Sequence, residues 1–117
     1  MNNAMKSVSQ RASSVIEVAD RLPDSTRIEY AQLLVSDLTS SLHFYRDLVG
    51  LSETWSRGNT SALSASTNGS PLVLLTEDRT AKLPPARSAG LFHLALLYPT
   101  RRDLAAAFMR LYEHGWQ

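Results

Sequence analysis

One order of events occurs twice in this chain, and it limits the architecture more than any single residue does. The first pass begins with an apolar run, Ile28 to Val35, which closes on Ser36-Asp37, residue types that cap helices. A helix is expected from Leu38 to Val49, with Leu38, Leu42, Tyr45 and Val49 on one stripe and Gly50 placed for a left-handed C-terminal cap. The second pass runs from Leu91 to Tyr98, then Thr100 and Asp103 as an approximate capping box. A stripe of Leu104, Phe108, Leu111 and Tyr112 follows, and Gly115 ends it. Tyr30-Ala-Gln-Leu-Leu-Val lies over His93-Leu-Ala-Leu-Leu-Tyr. The match is weak residue by residue and clear as a succession of strand, cap, helix and glycine.

Only the first pass is followed by three further strand candidates. These are Ser52 to Ser56, Ser61 to Ser66 and Pro71 to Thr76, with Arg57-Gly58-Asn59 and Asn68-Gly69 as the turns between them. The expected fold class is therefore α+β: a βαβββ module plus the first strand and helix of a second module. The expected divisions are an N-terminal extension over 1–27, the first module over 28–78, a Pro84-Pro85 crossover linker over 79–89 and an incomplete second module over 90–117. Within the extension, Val15, Ile16, Val18, Ala19 and Leu22 line one helical face that Pro23 would end.

Composition narrows the function classes. A net charge of +1 gives no footprint for nucleic acid, and no apolar run reaches the roughly 18–20 residues of a membrane span. The absence of cysteine excludes disulfides, thiolate metal ligands and cysteine nucleophiles, and is consistent with a cytoplasmic location. There is no glycine-rich phosphate loop and no nucleophile-elbow spacing. A curled βαβββ sheet carries its helix on one face and leaves the other face and an edge in need of cover. The expected cover is a second copy completing a half-barrel, the N-terminal segment, or further residues.

Val35-Ser36-Asp37-Leu38, Ser41-Leu42, Phe44-Tyr45-Arg46-Asp47 and Val49-Gly50-Leu51 resemble the opening motif of the glyoxalase/bleomycin resistance/extradiol dioxygenase (vicinal oxygen chelate) superfamily. Ala89-Gly90-Leu91-Phe92-His93-Leu94-Ala95 resembles the start of its next module. In closer detail the chain is similar to the N-terminal part of catechol-2,3-dioxygenase-like proteins. The resemblance implies paired βαβββ modules around a cavity, where many members hold a divalent metal (Fe, Mn, Zn or Ni) through His and Glu.

The resemblance places a ligand position near the start of each module's first strand: His93 in the second module and Tyr30, a departure from the pattern, in the first. The family's carboxylate would fall near Leu72 to Leu75, where no Glu stands; Glu77 is expected just past that strand. His93 is thus the candidate metal ligand, with a half-buried strand histidine as the plain alternative. His43, His114 and Arg101-Arg102 read as solvated helix positions. Two functions follow. One is a fragment or non-catalytic module of a ring-cleaving, catechol-type, metal-dependent dioxygenase. The other is a dimeric binding or resistance protein without a metal, its cavity lined by Tyr30, Trp55, Phe92 and Tyr98 around a small aromatic ligand.

Overall fold

The computed structural model describes residues 20–90 and 93–116. Strand β1 (Ala31–Val35) leads into a helix whose first turn, α1 (Leu38–Leu42), continues as a π-helical segment, His43–Val49. Strands β2 (Ser52–Arg57), β3 (Thr60–Ser64) and β4 (Pro71–Glu77) follow, and helix α2 (Arg101–Glu113) comes last. The sheet order is β1-β4-β3-β2. β1 runs parallel to β4, with Leu33 opposite Leu75; the other two pairings are antiparallel. This is the expected βαβββ arrangement, in which the helix is the crossover that a parallel pair requires.

Registered partners share a sheet face. Ala31, Val73 and Leu63 form one row, and Leu33, Leu75 and Ser61 form the next. Leu63, Val73 and Leu75 are fully buried there, and Leu33, Val35, Leu38, Leu42, Tyr45, Leu51 and Leu94 pack around them. The stripe expected on the helix holds for Leu38, Leu42 and Tyr45. The deepest residue of the π-helical end is Leu48 rather than Val49, because α2 packs against that segment; Ala107 is the buried residue on the α2 side.

Capping followed the expected chemistry. The Asp37 carboxylate accepts the Ser40 N–H at 3.1 Å, and Gly50 takes φ 102° at the helix end. Thr100 Oγ1 accepts the Asp103 N–H at 3.1 Å and its hydroxyl donates to the Asp103 carboxylate at 2.6 Å. Gly115 follows α2 at φ 70°. Replacing Thr100 by alanine orphans that first-turn donor and should lower the unfolding free energy by about 1 kcal/mol, measured by urea denaturation.

Several boundaries differ from expectation. β1 begins at Ala31, not Ile28, and Ile28 and Tyr30 are exposed because no partner strand reaches them. Glu77 lies inside β4 rather than beyond it, since its N–H donates to the Asn59 carbonyl at 2.8 Å and so prolongs the ladder. The Asn68-Gly69 turn belongs to a six-residue connection between Ser64 and Pro71. Residues 15–19 of the expected N-terminal helix fall outside the described residues, and 20–22 are not helical.

The largest difference is in the second unit. The run expected as a strand from Leu91 to Tyr98 forms no ladder over 93–98, although it alternates as a strand does: His93, Ala95 and Leu97 exposed, Leu94, Leu96 and Tyr98 less so. A strand's N–H and C=O groups need a neighbour. In the first unit that neighbour is β4, parallel to β1; among the described residues no strand stands in that relation to 93–98. On α2, Leu104, Phe108 and Tyr112 of the expected stripe remain 54%, 64% and 71% exposed, so the face that would meet such a sheet is uncovered.

Candidate functional site

The sheet face opposite the helix carries two registered rows. Trp55, Ala62, Leu74 and Gln32 form one, and Arg57, Thr60, Thr76 and Leu34 the other. Hydrogen bonds link three of these side chains: Gln32 Nε2 donates to Thr76 Oγ1 at 3.1 Å, and the Thr76 and Thr60 hydroxyls lie 2.9 Å apart. The Arg57 guanidinium stands 5.5 Å from the centre of the Trp55 ring, a cation–π distance. Tyr30, next to β1 and in line with Gln32 and Leu34, is 46% exposed. Gln32, Thr60, Thr76 and Arg57 were not singled out from the sequence; period-two alternation from Tyr30 was the signal that could have found Gln32.

A second feature lies at the end of the first helix. Leu51, Ala65, Leu72, Leu96, Tyr98 and Arg110 are among the residues lining a cavity of about 550 Å³ between that helix end, the 95–99 segment and α2. Of the residues expected around a ligand, Tyr98 lines this cavity, its hydroxyl donating to the Val49 carbonyl at 2.7 Å. Trp55 belongs to the sheet face, Tyr30 lies just before β1 outside the ladder, and Phe92 lies outside the described residues.

The residues present do not fit the divalent metal that the resemblance implies. No three His, Cys, Asp or Glu side chains gather as a metal-binding group among the described residues. His93 is on the exposed side of its segment. The Glu77 carboxylate is already engaged: Oε2 accepts the Leu38 N–H at 2.9 Å, at the start of α1, and Oε1 lies 3.7 Å from Arg79. Tyr30 offers a phenol where the resemblance would call for an imidazole or an amide. His43 pairs with Asp47 at 3.2 Å, and the ring nitrogen Nδ1 of His114 lies 2.8 Å from the Arg110 carbonyl.

Local charges are held by hydrogen bonds. The Ser40 N–H holds the Asp37 carboxyl below the ordinary aspartate value, the Arg46 guanidinium does the same for Asp47, and the Thr80 hydroxyl does so for Asp78. Burial pushes the Tyr45 phenol up. A depressed aspartate pKa contributes stability that is present above the unfolded value and lost as pH falls through the folded one. Asp37→Asn keeps a capping acceptor but removes the titration. It should lower the neutral-pH melting temperature modestly and flatten its fall below about pH 4, so that the variant and wild type converge in acid, a contrast readable by thermal melts from pH 7 to pH 3.

The family model described as Glyoxalase/Bleomycin resistance protein/Dioxygenase superfamily matches residues 27–117. This chain belongs to that superfamily. It is 37% identical over 93 residues to a catechol-2,3-dioxygenase of Bacillus subtilis (strain 168); the match covers 79% of this chain and 32% of that protein. The chain thus spans about a third of that relative's length. Among solved structures, one from the mobile metagenome of V. Pseudocholerae shares the fold, with a TM-score of 0.52 at 20% identity over 81% of this chain and 71% of that one. No helix of the described residues is long and apolar enough to cross a membrane.

Proposed function

We propose that this chain is a non-catalytic part of a cytoplasmic, ring-cleaving, catechol-type dioxygenase, whose metal is held by residues outside it. The observation that carries this reading is the mismatch between a complete first module and its donor set. The βαβββ fold is fully formed, yet Tyr30 stands at one ligand position and Glu77 caps a helix. The uncovered α2 stripe and the 93–98 segment, which alternates like a strand but forms no sheet ladder among the described residues, support completion by three further strands, arranged as β2 to β4 are on α1. The similarity to about a third of a catechol-2,3-dioxygenase agrees with a partial unit.

A second reading rests on the apolar cavity and the Gln32–Thr76–Thr60 row: a dimer that binds a small aromatic molecule without a metal, the partner copy supplying the missing cover. Titration with Fe(II) or Co(II), together with a thermal-shift series in catechol, separates the two. The first reading predicts no stoichiometric metal and no catechol-dependent shift for this chain alone. A saturable shift in a dimeric species without metal favours the second. Tight one-to-one metal binding by the isolated chain contradicts both.

A further inference from the structure

The last carbonyls of a helix have no donor within the helix and must find one elsewhere. At the end of the first helix those of Leu48 and Val49 are served from the far side of the chain. Arg110 on α2 donates through Nε to the Leu48 carbonyl at 2.8 Å and through Nη2 to the Val49 carbonyl at 3.0 Å. The Tyr98 hydroxyl adds a third bond, to Val49 at 2.7 Å. A cation at a helix C-terminus also meets the negative end of the macrodipole. The guanidinium fork can engage two acceptors at once, which a lysine ammonium does not do in this geometry.

Gly50 makes the approach possible. Its φ of 102° is a left-handed conformation that L side chains resist, and a Cβ built there would lie 2.7 Å from Arg110 Nη2. The rest of the contact between the first helix and α2 is thin. The Trp116 and Phe44 rings meet at a tilt of 39° with centres 4.5 Å apart, and the His114 ring meets that of His43 edge-on at 6.2 Å. Ala107 is the buried residue of α2, so apolar burial gives this helix little hold on the first unit. A 13-residue helix is marginal in water without tertiary support.

We propose that Arg110 is the latch that docks the second unit on the first, a C-terminal helix cap supplied from across the chain, with Gly50 as the gap it enters. This stands apart from the dioxygenase reading and holds for any activity of the chain. The test uses the full chain carrying Trp55→Phe, which leaves Trp116 as the reporter tryptophan of the two in the sequence. In that background Arg110→Ala, Arg110→Lys and Gly50→Ala are compared by Trp116 emission and by amide hydrogen exchange. All three variants should shift Trp116 emission to the red and speed exchange along α2 by roughly tenfold or more. The amides of Leu63 and Val73 should keep their protection. Unchanged emission and α2 exchange in Arg110→Ala would overturn the proposal, as would wild-type behaviour of Arg110→Lys. Equal loss of protection at Leu63 and Val73 would also overturn it, because Arg110 would then hold the whole core rather than a seam.

Discussion

Leu63→Ala is expected to lower the unfolding free energy by about 2–5 kcal/mol, measured as a shift in the urea midpoint at unchanged slope. Leu63 has no exposed surface and meets Val73 and Leu75 at the centre of the sheet's helix-facing side. Its strand, β3, is hydrogen-bonded on both edges, so the backbone cannot collapse easily into the space left by the lost methyl groups. A domain of this size has only about 5–15 kcal/mol of stability in total. Leu104→Ala, by contrast, should cost little, because Leu104 is 54% exposed on the uncovered stripe. The pair therefore checks that the core is centred on the first unit, with Leu94 and Ala107 the points where the second unit joins it.

Glu77→Ala is expected to cost about 1–3 kcal/mol, because it leaves the half-buried Leu38 N–H without its acceptor. Glu77→Gln retains an oxygen at the same reach and should cost clearly less. The comparison bears on function as well as on stability. A carboxylate whose work is to cap α1 shows its loss in thermal melts with no dependence on added divalent metal. A carboxylate that held a metal would show a metal-dependent loss instead.

What was legible in the sequence was local chemistry. Asp37, Thr100, Gly50 and Gly115 took the capping roles their types and positions suggested, because a cap needs only its own helix. The three strands after Gly50 were legible from alternation and turn residues. What needed a distant partner was not. The Leu91–Tyr98 run has a strand's composition, but a ladder depends on a neighbour that no local pattern supplies. Glu77 read as a stray carboxylate until the β1–β4 pairing brought it to the start of α1. Arg110 was not singled out from the sequence; its acceptors lie 61 and 62 positions away. The candidate site was half legible in the same sense. Tyr30 and Trp55 were named, while the Gln32–Thr76–Thr60 row emerged only from the register.

The central proposal is that any ring-cleaving catalysis is seated outside this chain, whose βαβββ sheet is formed and whose α2 stripe is uncovered. Oxygen uptake with catechol and added Fe(II), measured on the 117-residue chain and on a longer product of the same reading frame, tests it most directly. The account predicts no uptake above the metal-only control for the short chain and uptake restored in the longer one. Full ring-cleaving turnover by the 117-residue chain alone would contradict it.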